Sequence, residues 1–162
     1  MISDTLQKTV NDQIKHEMYS SYLYLSMVAH FEAQNLPGLA HWMRAQSGEE
    51  TSHAMKLFAF LNDRGGVVKL QAIDAPPTDF GSPLQVFEQV LEHERKVTGL
   101  IHGLYAQAVK ETDYASQFAF QWFVNEQVEE ERNATQIVEQ FKLVGDQGTP
   151  LFMIDRQLGA RK

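Results

Sequence analysis

The 162-residue sequence predicts an all-α fold, a four-helix bundle with a long crossover between helices two and three and a short fifth C-terminal helix. Three observations carry that expectation. Four stretches hold unbroken apolar stripes at spacings of three and four, the pattern of amphipathic helices. Glycine and proline interrupt the chain between them. One connection, residues 65–82, exceeds the ~12–15 residues usual for an unstructured loop, and at ~3.3 Å per residue it can run the whole length of a bundle. A crossover of that reach permits helices two and three to be parallel.

Ser3 or Asp4 can cap the first helix, whose stripe reads Leu6, Val10, Gln13, Glu17, Ser20, Tyr24, Val28 and Phe31. It runs to about Gln34, before the breakers Asn35, Pro37 and Gly38. Pro37 suits the first turn of the second helix, striped by Leu39, Met43, Gln46, Glu50, His53, Leu57 and Phe60 and stopped after Arg64 by Gly65 and Gly66. Ser82, Pro83 and Gln85 open the third helix with a capping-box pattern. Its stripe is Leu84, Phe87, Leu91, Glu94, Thr98, Ile101 and Tyr105, ending near Glu111. Thr112 or Asp113 starts the fourth, with Phe120, Phe123, Gln127, Glu130, Ala134, Ile137, Phe141 and Val144, which ends before Gly145. Thr149 and Pro150 open the fifth, closed by Gly159. The expected organisation is one domain over 1–162, with the bundle over about 3–144 and the fifth helix over about 149–158.

Each bundle stripe is interrupted near its middle by metal-ligand residue types: Glu17, then Glu50 with His53, then Glu94, then Gln127 with Glu130. A carboxylate buried without a partner costs several kcal/mol, so four converging at one depth need a compensating cation. Glu50 and His53 form Glu-x-x-His, which sets a carboxylate and an imidazole one turn apart on one face. On an exposed helix that tetrapeptide is commonplace; here it lies on the apolar stripe. Four carboxylates and one histidine at matched depth would balance two divalent ions.

Composition narrows the chemistry. With no cysteine, disulfides, thiolate zinc sites and iron-sulfur clusters are excluded, which leaves carboxylate and imidazole ligands and hard or borderline metals. A formal net charge of −7, with no Lys/Arg block at either end, argues against a nucleic-acid partner and for attraction of cations. No stretch reaches the ~20 apolar residues of a membrane span and the N-terminus lacks the pattern of a secretory leader, so a cytoplasmic location is expected.

Di-iron carboxylate bundles take a Glu from each of two helices and Glu-x-x-His from each of the other two. This chain departs from that plan in its fourth helix, which carries Gln127-x-x-Glu130. One iron should therefore have a ligand set without nitrogen. Over residues 1–160 the sequence resembles the bacterial non-haem ferritins, most specifically in YSSYLYLS after Glu17, GEETSH in the second helix and NEQVEEE in the fourth. The resemblance implies a ferritin-like fold and a ferroxidase subunit that oxidises Fe(II) with dioxygen or hydrogen peroxide and stores Fe(III) mineral in a homo-oligomeric shell of 24 subunits. It also places the fifth helix near the four-fold axis.

By the same resemblance Glu17, Glu50 and His53 would hold the first iron and Glu94 with Glu130 the second, Glu50 bridging and Gln127 alongside. Glu49, Glu126 and Glu129, with Glu130, match the carboxylates of a third iron, although an exposed acidic face also explains the first three of these. Tyr24 is implied as a hydrogen-bond partner and electron donor, and Trp122 as a helper; core packing is the competing reading for both rings. His93 points about 100° away from Glu94 around its helix, and His16, His30, His41 and His102 lack a paired ligand at helical spacing. Animal ferritins carry three-fold channel carboxylates where this chain has Gln117 and Phe120.

No haem is expected. A haem-bearing bacterioferritin would show a second Glu-x-x-His and a ligating Met beside the bridging Glu, where this chain has Thr51. A DNA-protecting mini-ferritin would share its iron site between subunits, and a metal-free structural subunit would have lost its ligands. A rubrerythrin-like peroxidase, or another di-iron enzyme without mineral storage, keeps the same centre and is the alternative reading.

Overall fold

A computed structural model describes residues 1–162 and contains five helices: α1 (Asp4–Ala33), α2 (Pro37–Asp63), α3 (Pro83–Lys110), α4 (Tyr114–Val144) and α5 (Gly148–Leu158). Local chemistry explains most of their ends. The Ser3 hydroxyl accepts from the Leu6 amide at 3.1 Å to cap α1. Ser82 and Gln85 form the expected capping box on α3, with the Ser82 amide donating to Gln85 Oε1 at 2.8 Å. Asp113 caps α4 through the Ser116 amide at 2.9 Å. Arg64, at the end of α2, grips the same carboxylate with both guanidinium nitrogens at 2.9 and 2.8 Å, which holds Asp113 down to about 2.

The N-terminus of α2 is different. Its N-cap, Leu36, has no side-chain acceptor, and the Leu39 amide instead donates to Asp155 Oδ1 of α5 at 2.9 Å. Here α5 approaches so closely that a Cβ on Gly38 would sit 1.7 Å from the Asp155 carbonyl oxygen. A short C-terminal helix is thus built into the start of α2. It begins one residue before Thr149, within the usual scatter of helix ends.

The crossover traces α1 from one end to the other. Asn11 bonds to the Val67 carbonyl and the Lys69 amide, Ser26 donates to the Pro77 carbonyl, and His30 donates to the Gly81 carbonyl. From Asn11 to His30 is roughly 28 Å of helix at 1.5 Å per residue. Because α2 runs antiparallel to α1 and ends beside its start, where the Ile2 amide meets the Arg64 carbonyl, the crossover returns the chain to the opposite end and makes α3 parallel to α2. The Leu84 amide accordingly reaches Asp146, beyond the end of α4.

The stripes form the interior almost as expected. Phe60 is only half-buried, with Leu61 buried beside it, Val144 is exposed, and in α3 Leu84, Thr98 and Tyr105 are half-buried while Val86, Val90, Val97 and Leu104 are buried. The apolar core is not continuous. A cluster of 20 buried residues from Leu23 to Leu158 and another of 12 from Leu6 to Phe123 are separate bodies. Between them lies a polar layer of Gln13, Glu17, Gln46, Glu50, His53, Glu94, Gln127 and Glu130, each buried.

Candidate metal centre

Mid-helix positions at i and i+3 or i+4 bring these side chains to one depth. Glu17, Glu50 and His53 offer ligand atoms all within 4.8 Å of one another, and His53, Glu126 and Glu130 form a second such group. His53 joins the two, with Nδ1 3.3 Å from Glu50 and Nε2 3.8 Å from Glu126. The Trp122 and His53 rings pack nearly perpendicular at 5.3 Å between centroids, and Lys56 lies over Trp122 at 3.8 Å.

Three glutamine amides hold the carboxylates in place. Gln13 donates to Glu17 at 2.8 Å, Gln46 to Glu130 at 2.6 Å, and Gln127 to Glu94 at 3.2 Å. Tyr24, fully buried, donates its hydroxyl to the other oxygen of Glu94. One ligand atom remains unanswered: Glu17 Oε2 is buried and has no hydrogen-bond partner. A charged carboxylate oxygen left so is costly, and either a proton shared with Glu50 or a cation bound between Glu17, Glu50 and His53 would satisfy it.

The electrostatics agree. Burial, followed by the charge of Glu50, raises Glu17 well above its ordinary range; burial and Glu94 do the same to Glu50. Burial also raises Glu94, and burial with the charge of Glu94 pushes Glu130 up to about 8. Buried hydroxyl and neighbouring Glu94 raise Tyr24 well above 10, so it stays a donor at neutral pH. Without metal this layer keeps protons, and a divalent cation would replace them.

The geometry does not bring every candidate into one cluster. Glu94 is turned toward Tyr24 and Gln127 and lies outside both ligand groups, although its charge is felt at Glu50 and Glu130. Glu126 joins His53 and Glu130, whereas Glu49 is held by Arg161 at 2.6 Å and exposed Glu129 faces Arg132 at 3.6 Å. His93 packs its ring against Tyr24 and bonds to the Ser20 hydroxyl at 2.8 Å, and its burial lowers it to about 4.

The model of the Ferritin-like domain matches residues 7–144. The chain belongs to the ferritin family. It is 49% identical over 161 residues to a bacterial non-haem ferritin of Bacteroides fragilis strain 638R, covering 99% of this chain and 100% of that one. A bacterial non-haem ferritin of Staphylococcus aureus strain USA300 is 34% identical, covering 99% and 97%. Among solved structures, the open pore ferritin from the hyperthermophilic archaeon Archaeoglobus fulgidus superposes with a TM-score of 0.98 at 46% identity, covering both chains in full. The four-helix bundle with a short fifth helix is therefore the ferritin-like architecture.

Within this ferritin chain, the Gln13 and Gln46 amides are functional groups to which the ligand pattern assigns no role. Gln13 and Gln46 each stand four residues before a stripe carboxylate, a spacing that places amide and acid side by side on one face. Arg161 gave no signal at all, because it reaches α2 only through the docking of α5.

Proposed function

We propose that this ferritin chain is an iron-storage subunit with ferroxidase activity. Two Fe(II) ions bind as substrate in the polar layer, lose electrons to dioxygen or hydrogen peroxide and leave as Fe(III) toward a mineral held in a cytoplasmic shell, of 24 copies by family resemblance. The observation that carries the reading is the buried cluster of Glu17, Glu50 and His53 with its unpartnered Glu17 oxygen.

In this scheme Glu17, Glu50 and His53 hold the first ion, and Glu50 bridges to a second held by Glu94 and Glu130. Glu94 must rotate away from Gln127, while Gln46 must release Glu130. Gln127 then remains as a neutral neighbour, so the second position has oxygen ligands only. Carboxylates suit both oxidation states of iron, and their variable binding modes allow release. Tyr24, bonded to Glu94, lies where it can supply an electron, and Trp122 touches His53. A third ion would use Glu126 and Glu130, with Glu49 and Glu129 after their present pairings break. A net charge of −7 favours cation entry.

His53→Ala and Glu130→Ala should abolish the fast phase of Fe(II) oxidation in stopped-flow absorbance while far-UV circular dichroism stays helical. An unchanged fast phase would remove the residue concerned from the centre.

A further inference from the structure

The last residues of the chain return to α2. Arg161 Nη2 donates to Glu49 at 2.6 Å, and Nη1 donates to Gln46 Oε1 at 3.0 Å and to the Trp42 carbonyl at 3.2 Å. The guanidinium lies 4.7 Å from the centre of the Trp42 ring, and His41 donates to the Arg161 carbonyl at 2.6 Å. Four residues along one face of α2 therefore anchor one arginine. Stacking and a fork of donors are what distinguish this from a loose surface pair.

Two consequences reach the polar layer. Because Arg161 occupies Gln46 Oε1, the Gln46 amide nitrogen must face inward, where it donates to Glu130 at 2.6 Å and approaches Glu50 at 3.5 Å. And Glu49, one residue from the bridging candidate Glu50, is drawn to the tail and is absent from the group formed by His53, Glu126 and Glu130.

We infer that Arg161 is a built-in competing cation: it holds Glu49 away from the His53, Glu126 and Glu130 group, and a third divalent ion must displace it to gain Glu49 as a ligand. This rests on the proposed third position. Arg161 is a positioning residue, tuning how tightly that ion is held; no ligand of the first position bonds to it, and Gln46 approaches Glu50 only at 3.5 Å, whereas the second is reached indirectly, since the Gln46 that Arg161 orients donates to Glu130. The side chain of Glu49 is 45% exposed, so the competition is modest: a pair of this kind corresponds to roughly a two- to fivefold change in affinity.

Zn(II), which undergoes no oxidation, is titrated calorimetrically into the metal-free full chain. Arg161→Gln should bind the third Zn(II) roughly two- to fivefold tighter than wild type, with the ion held by Glu17, Glu50 and His53 unchanged. Arg161→Lys keeps a charge opposite Glu49 but loses the fork and the stacking, and should fall between wild type and Arg161→Gln. Glu49→Gln should weaken the third ion, and adding Arg161→Gln to it should change nothing further, since the two residues act through one contact.

If Arg161→Gln only lowers the unfolding midpoint and leaves the third ion unchanged, Arg161 is structural and the inference fails while the third position stands. A tightening that persists in the Glu49→Gln background would overturn it as well. No third Zn(II) in any variant would remove the third position and the inference together.

Discussion

Replacing Glu130 by glutamine should stabilise the metal-free protein at pH 8, although it removes a candidate ligand. Glu130 is 5% exposed, and burial together with the charge of Glu94 raises its carboxyl from 4.5 to about 8. Below pH 4.5 both folded and unfolded forms are protonated and the residue is neutral to stability. As pH rises toward 8 the unfolded chain releases the proton while the folded chain retains it, so stability falls, and the full loss is reached above about 8. At about 1.36 kcal/mol per unit the ceiling is about 5 kcal/mol. Sharing of protons with Glu17, Glu50 and Glu94 brings the expected cost to about 2–5 kcal/mol. Glutamine preserves the volume and can still accept from Gln46. Calorimetric unfolding of chelator-treated wild type and Glu130→Gln, at one protein concentration from pH 5 to pH 8, reads the difference. The variant should gain at least about 4 °C over wild type at pH 8 and little at pH 5. Equal midpoints at pH 8, or a variant less stable there, would refute the claim that the chelator-treated layer is strained by its own charge.

Further outcomes follow from single contacts. Tyr24→Phe removes the donor to Glu94, and should slow the fast oxidation phase roughly tenfold, about 1.4 kcal/mol, in stopped flow without altering the Zn(II) stoichiometry. Gly38→Ala drives a Cβ into the Asp155 carbonyl, so α5 must detach; size-exclusion chromatography should show altered assembly, and the unfolding midpoint should drop. Thr112 is β-branched and sits at φ 54°, so Thr112→Asn should stabilise by about 1 kcal/mol in thermal unfolding.

The helices were legible because their signals are local. The Ser82 and Gln85 capping box, the Asp113 cap and Gly65 at φ 72° each act within a few residues, and the structure uses all of them. The buried polar layer is legible for a related reason: a glutamate amid an apolar stripe is anomalous in any helix, and spacing alone sets its depth. What escaped depends on parts of the chain far apart in sequence. The cap of α2 comes from Asp155, 116 residues away, and Arg161 reaches Glu49 across 112. No periodicity encodes such meetings. The direction in which a side chain of this layer turns is also unreadable from spacing: Glu94 faces Tyr24 and Gln127. The parallel course of α2 and α3 lay between these cases: loop length permitted it, and the bonds from Asn11, Ser26 and His30 show the path taken.

Iron loading separates storage built on a di-iron centre from di-iron chemistry alone. Metal-free protein is supplied with Fe(II) in air, and iron per chain is measured in the size-exclusion peak. Iron far in excess of the three ions one bundle could hold, eluting with a shell-sized species, is the predicted result. Two or three per chain in a small species would contradict storage and leave a di-iron peroxidase or oxygenase in its place.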